Sequence, residues 1–325
     1  MARGGGSDTE RATIFEADRG RVTAMAYRML GSWAEAEDAV QEAWLRFASA
    51  DLAEIREPRA WLTTVVGRIC LDVLRSARVR REAYVGPWLP EPLVARLPSA
   101  DTDAVDPADA AARTEEVGLA LLVVLERLTP EQRVAFVLHD IFAVPFDEIA
   151  ATLATTPEAA RQLASRARRA VAADGQPRRR APLAQQREAV TAFLAAARSG
   201  DLDGLLAVLA PDVVMIGDGG GVGPASRRPT EGALAVARFV LGLFRRAETE
   251  MLVDVEPVLV NGDFGLLVEV RAHDGRALPS PTGADLGDTL RFVMAFAVRD
   301  RLITGIFDQL NPAKLAHVPR LDQLR

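Results

Sequence analysis

Three groups of residues in this chain could do chemistry. The first is a set of seven arginines between 157 and 180 (Arg161, Arg166, Arg168, Arg169, Arg178, Arg179, Arg180), set against Glu158 and Asp174. The planar guanidinium fork suits phosphates and guanine edges, and Gln162 and Ser165 among them can bond base edges or phosphates. The second is a charge reversal. Segment 31–54 carries six acids (Glu35, Glu37, Asp38, Glu42, Asp51, Glu54) against Arg46, and segment 56–81 carries seven arginines (Arg56, Arg59, Arg68, Arg75, Arg78, Arg80, Arg81) against Glu57 and Asp72. Such blocks suit a protein that meets a basic surface in one place and phosphates in two others. Solvated helix faces in an arginine-rich sequence are the plain alternative. The third group could move protons: Asp218, His273, Asp288 and Asp308. Acid–base catalysis needs such a group in a pocket, beside a partner. Asp218 precedes three glycines and His273 adjoins Asp274-Gly275, so strand ends and turns are the expected placement. No nucleophile–base pair is evident from spacing, and no catalytic residue is assigned.

Other chemistries are narrowed by residue counts. Cys70 is the single thiol, so no disulfide forms within the chain, and His139, His273 and His317 lack zinc spacing. No metal or cofactor is expected. The stretch MARGGGSDTE lacks an apolar signal core, and no apolar run reaches the roughly 18 residues of a membrane span. A cytoplasmic location with no membrane partner is the expectation. The net charge of −6 argues against a nonspecific nucleic-acid coat. Lys314 is the only lysine.

The elements that position these residues fall into blocks. Residues 11–82 read as helical. Ser32 and Glu35 have capping-box spacing, and Ala36, Val40, Ala43, Trp44 and Phe47 then mark one buried face. Asp38, Gln41 and Glu42 fall outward. Pro58 suits the start of the next helix, where Leu62, Val65, Val66, Ile69 and Val73 face inward and Arg68, Asp72 and Arg75 largely outward. Five prolines break 83–115, and Asp101, Asp103, Asp106, Asp109 and Glu115 make its second half acidic; it reads as a linker, with a short ordered piece at YVGPWLPEPL. Helices return over 116–173. A helix at Pro145–Leu153, a turn, and a helix starting at Thr156-Pro157 make a helix-turn-helix candidate. In its second helix Leu163, Ala167, Ala170 and Val171 face inward, and Glu158, Arg161, Gln162, Ser165 and Arg169 outward. Residues 174–183 form a hinge. Beyond it helices at 184–199 and 231–246 precede alternating runs at 249–260, 262–273, 288–298 and 301–308, with turns at Asn261-Gly262 and Arg299-Asp300. Residues 184–318 thus form an α+β domain.

Several stretches together carry a family resemblance. YRMLGSWAEAEDAVQEAWLRF (27–47) with PRAWLTTVVGRICLDVLR (58–75) resembles region 2 of the extracytoplasmic-function sigma factors. LERLTPEQRVAFVLHDIFAVPFDEIAATLATTPEAARQLASRARRAV (125–171) resembles their region 4. YVGPWLPEPL in the linker, DGGG at 218–221 and NPAKL at 311–315 resemble the group whose members carry a fused SnoaL-like C-terminal domain. In that group the glycine motif usually continues with lysine, where Val222 stands here, and an acid is more usual at Ala313.

The resemblance implies a multidomain fold: two all-α sigma modules, a helical bundle and a helix-turn-helix, followed by a cone-shaped α+β barrel. It implies promoter recognition on core RNA polymerase. Region 2 would dock on the β′ clamp through Glu35, Asp38, Gln41 and Glu42, and the β flap would be a second contact. The next helix would touch the −10 element through Arg59, Arg68, Arg75 and Arg78. Region 4 would read the −35 element through Glu158, Arg161, Gln162, Ser165, Arg166 and Arg169. Trp61 is expected in the core beside Leu62. Asp218, Gly219, Gly220, Gly221, Asn311, Pro312 and Lys314 would form a regulatory contact with the sigma module, and a small ligand could occupy the C-terminal pocket. Two other readings remain: a cyclase- or isomerase-type enzyme fused to a DNA-binding module, and a regulator that binds DNA without polymerase.

Overall fold

The computed structural model describes residues 5–82, 84–97, 117–173, 180–273 and 287–324. The chain divides into two compact units, Met1–Glu82 with Val124–Gly175, and Ala83–Val123 with Gln176–Arg325.

The first unit is helical. It comprises α1 (Gly5–Leu30), α2 (Trp33–Ser49) and α3 (Pro58–Glu82), then α5 (Pro130–Phe136), α6 (Phe146–Leu153) and α7 (Pro157–Ala173); the division between units falls within α4 (Leu119–Leu125). Local signals set the helix starts. The Ser32 side chain accepts from Glu35 N at the head of α2. Thr129 and Gln132 form a reciprocal capping box at the head of α5, with Pro130 in its first turn. A π-helical turn (Val137–Ile141) extends α5. Ala154, in the left-handed region at φ 51°, ends α6 and turns the chain into α7.

The α2 core face is Ala36, Ala39, Val40, Ala43 and Phe47, with Trp44 half-buried and 5.0 Å from the Phe15 ring. Trp61 is half-buried and 5.5 Å from Phe47. Around α3 the burial is wider than one stripe. Leu62, Val66, Ile69, Cys70, Leu71 and Leu74 are buried, while Val65 and Val73 are half-buried. The cause is packing on two sides, by α1 and α2 and by α5 and α6. The α7 stripe also differs from expectation. Its inward residues are Ala160, Ala164 and Ala167, with Leu163 half-buried and Ala170 exposed. Alanines at that spacing let the helix approach α5 closely.

The second unit is a curved sheet with helices on one face. Its strands are β1 (Val94–Arg96), β2 (Leu209–Asp218), β3 (Thr230–Glu231), β4 (Met251–Val260), β5 (Asp263–Ala272), β6 (Thr289–Arg299) and β7 (Leu302–Gln309), in the order β1-β4-β5-β6-β7-β2-β3. Helices α8 (Leu183–Ser199), α9 (Leu202–Val208) and α10 (Ala233–Glu250) complete the described core, and a short α11 (Leu321–Leu324) follows. Asn261 and Gly262 have φ of 51° and 74° and close the β4–β5 hairpin, the geometry that favours Asn-Gly. The β6–β7 turn uses Asp300-Arg301, at φ 50° and 67°, one residue later than the sequence suggests. The sequence pattern does not mark strand β2. It runs parallel to β7, with Asp218 opposite Gln309.

Each strand alternates between two covered faces. Leu266, Val268, Val270, Phe296, Ile306 and Met215 join Phe193 and Val240 of the helices in one core. The other face presents Leu267, Val293, Phe307, Ile216 and Gln309, also buried. Residues 84–97 cross that second face, and β1 pairs antiparallel with β4, Val94 opposite Val260.

Candidate functional site

Asp218 ends β2 with no exposure. Its Oδ1 accepts from Tyr84 Oη at 2.6 Å and from Gly220 N at 2.9 Å. Its Oδ2 accepts from Leu89 N at 2.9 Å and from Lys314 Nζ at 2.7 Å. Lys314 donates also to Leu89 O at 2.6 Å, and its ammonium lies 3.9 Å from the Trp88 ring centroid, within cation–π range. Gln309 bonds Leu89 O and Pro90 O at 3.3 and 3.2 Å, and Asn311 Nδ2 donates to Tyr84 Oη at 2.8 Å. Further along, Leu93 N donates to Asn261 Oδ1 at 3.1 Å and His317 Nε2 lies 3.0 Å from Pro92 O. Residues 84–97 thus form a strap whose Leu89 N and O, Pro90 O, Pro92 O and Leu93 N each meet a side chain of the C-terminal fold. Burial, then the adjoining Asp218 carboxylate, push the Tyr84 hydroxyl well above its ordinary value.

The glycine run exists for this geometry. Gly220 and Gly221 take φ of 62° and 76°, where a side chain is strained. A Cβ on Gly220 would stand 2.5 Å from Asn311 Cγ, and one on Gly221 would stand 3.2 Å from Val85 Cβ. Four of the seven residues assigned to a regulatory contact, Asp218, Gly220, Asn311 and Lys314, thus meet one another and the 84–90 segment. Gly219 and Gly221 complete the turn, and Pro312 is exposed.

In the helical unit, Asp38, Gln41 and Glu42 are exposed on α2, while Glu35 is half-buried at the helix start. Leu45, on the same face one turn beyond Gln41 and Glu42, is 62% exposed. A polar-versus-apolar pattern cannot flag it, because one exposed leucine looks like a core residue in a sequence. Glu158, Arg161, Gln162, Ser165, Arg166 and Arg169 are all exposed on α7. Arg161 lies 3.4 Å from Glu158 and 5.5 Å from the Phe146 ring. On α3, Arg59, Arg68 and Arg75 are exposed, and Arg59 lies 4.0 Å from Asp18. The side chain of Arg78 lies outside the described residues.

The acid–base candidates scatter. His273 and Asp288 are exposed, and Asp218 is bonded to Lys314. Asp308 lies near the end of β7, as expected, on the helix-covered face opposite Met294 and Gly217, but it is buried and its Oδ1 has no hydrogen-bond partner. Burial raises its carboxyl to about 7. Among the described residues no group of His, Cys, Asp and Glu could hold a metal ion, and no helix is long and apolar enough to cross a membrane.

Comparison with known proteins agrees with this layout. Residues 14–80 match the Sigma-70 region 2 family, residues 118–171 match Sigma-70 region 4, and residues 190–306 match the SnoaL-like domain family. The chain is 45% identical over 306 residues to the ECF RNA polymerase sigma factor SigJ of Mycobacterium tuberculosis, covering 94% of this chain and 93% of that one. It is 42% identical over 208 residues to the probable ECF RNA polymerase sigma factor SigI of the same species, covering 62% of this chain and 68% of that one. The crystal structure of M. tuberculosis SigJ matches with a TM-score of 0.72, covering 95% of this chain and 99% of that one at 42% identity. The chain belongs to the extracytoplasmic-function RNA polymerase sigma factors, in the form that carries a C-terminal SnoaL-like domain.

Proposed function

We propose that the SnoaL-like domain of this sigma factor restrains initiation by gripping the segment that joins regions 2 and 4. The observation that carries the reading is the buried set Asp218, Lys314, Tyr84 and Leu89. A tether held along 84–97 ties the fused domain to the separation of the two DNA-reading regions. A ligand in the C-terminal pocket would act only by binding held and released forms differently.

The remaining assignments follow the family. Region 2, within 11–82, docks on the β′ clamp through the acidic α2 face of Glu35, Asp38, Gln41 and Glu42. Leu45 adds an apolar contact there that a basic partner surface alone would not use. Arg59, Arg68, Arg75 and Arg78 hold phosphates of the −10 strand. Region 4, within 116–173, meets the β flap and reads the −35 element through the exposed α7 face. The work is done beside polymerase in the cytoplasm. The SnoaL-like fold, residues 184–318, acts here as a regulator and not as an enzyme. Asp308 alone of the four acid–base candidates faces the apolar side, and its buried Oδ1 has no hydrogen-bond partner.

Hydrogen exchange tests the grip. The amides of Leu89 and Leu93 donate to Asp218 and Asn261 and should exchange slowly in the free protein. They should lose protection in the promoter-bound holoenzyme. Equal protection in both states would contradict the proposal.

A further inference from the structure

Asp308 and Gln309 are neighbours on β7 and point to opposite faces of the sheet. Gln309, fully buried, bonds Leu89 O and Pro90 O of the strap. Asp308, 8% exposed, lies on the helix-covered face, and its Oδ1 is buried without a hydrogen-bond partner. Among the described residues no neighbouring charge offsets that burial. A buried carboxyl in this state is costly, and most such groups in folded proteins have a partner. Asp308 is left for a partner that the described chain does not supply.

The strand register gives its surroundings. Met294 of β6 stands opposite Asp308, and Leu266 of β5 stands opposite Met294. Two residues along the strands, about 7 Å away, the next row on that face is Phe292, Val268 and Val255. The row beyond is Leu290, Val270 and Val253. Exposure rises outward. Leu266 is buried, Phe292 and Val255 are half-buried, and Val253 is 44% exposed. Phe244 of α10 and Met251 of β4 pack on the same core and are also half-buried. The face is thus an apolar concavity that opens along the strands, with one carboxyl at its inner end. Met251 and Met294 give the lining freedom to fit more than one shape.

We propose that this concavity is an effector site for a small, largely apolar molecule carrying one ammonium or hydroxyl group, which donates to Asp308. The rings and aliphatic chains of the lining take the apolar body, and the single carboxyl fixes its orientation. Gln309 holds the strap one residue further along β7, so a ligand that moves the end of this strand also moves the clasp. That coupling rests on the restraint proposed above; the binding site does not.

The test titrates the full chain with naphthylmethylamine and with naphthoate, which share a ring system and differ in charge, and follows the fluorescence of the ring. The amine should bind saturably and more tightly than naphthoate. Asp308→Asn keeps the shape of the side chain and removes its charge. It should weaken amine binding about tenfold and leave naphthoate binding no weaker. Met294→Trp should fill the concavity and lose both probes while circular dichroism stays native. Saturable binding of neither probe, an amine affinity unchanged in Asp308→Asn, or full binding by Met294→Trp would overturn the site. With the amine bound, hydrogen exchange at the Leu89 amide should change several-fold. Unchanged exchange, with binding that still depends on Asp308, would overturn the coupling while the site stands. Failure of the restraint itself shows separately, as equal Leu89 protection in the free protein and the promoter-bound holoenzyme.

Discussion

Lys314 Nζ stands 2.7 Å from Asp218 Oδ2, and this pair joins the tail of the C-terminal domain to the end of β2 beneath the interregion strap. Lys314 is the chain's only lysine. Its side chain is 10% exposed and that of Asp218 is fully buried. Removing one member of a buried pair leaves the other uncompensated, which typically costs about 3–5 kcal/mol.

Lys314→Met should therefore destabilise the C-terminal unit by about 3 kcal/mol, read as a lower urea midpoint. Adding Asp218→Asn should recover part of that loss, because no buried carboxylate then remains. Strictly additive losses in the double variant would show that the two groups do not interact.

Asp308 predicts a pH dependence of opposite kind. Burial raises its carboxyl to about 7 in the folded state, against roughly 3.9 for a free aspartate. Below about pH 4 it is protonated in both states and carries no penalty. As the pH rises the unfolded chain releases the proton first, so stability falls until the pH passes about 7. Asp308→Asn should then stabilise by about 4 kcal/mol near pH 8 and by little near pH 4. Equal effects at the two pH values would contradict the assignment.

These two aspartates mark what the sequence could and could not carry. The helical signature, the Asn261-Gly262 turn and the outward arginine face of α7 are local patterns, and they were legible. The clasp was legible only as three separate motifs, YVGPWLPEPL, DGGG and NPAKL. Their meeting depends on the parallel pairing of β2 with β7, and periodicity is silent on which strands become neighbours. The same limit hid the burial of Asp308: its strand is legible, but not that the helices cover the face on which it lies. The α7 core stripe of Ala160, Ala164 and Ala167 is not legible in the sequence, because alanine packs a helix closely without the bulk that signals burial.

Region 4 should separate base reading from phosphate holding. Arg161→Ala should lose about 1–3 kcal/mol at a matched −35 element and relax specificity at one position. Arg169→Ala should weaken binding uniformly and flatten the salt dependence. Indistinguishable behaviour of the two across promoter variants would refute the division of roles.

On α2, reversing Asp38 and Glu42 to lysine should weaken holoenzyme formation and leave circular dichroism unchanged. Leu45→Ser should do the same without loss of stability, because the side chain is 62% exposed. Undiminished co-purification of both variants with core polymerase would remove α2 from the interface.

Transcription from a cognate promoter, with purified core polymerase and the full chain, tests the restraint most directly. Asp218→Asn with Lys314→Met, compared with the unaltered protein at equal holoenzyme concentration, loosens the strap without deleting a domain. The double variant should give more transcript per holoenzyme, with slower exchange at Leu89 and Leu93 lost in parallel. Unchanged or lower output, with that protection lost, would contradict it.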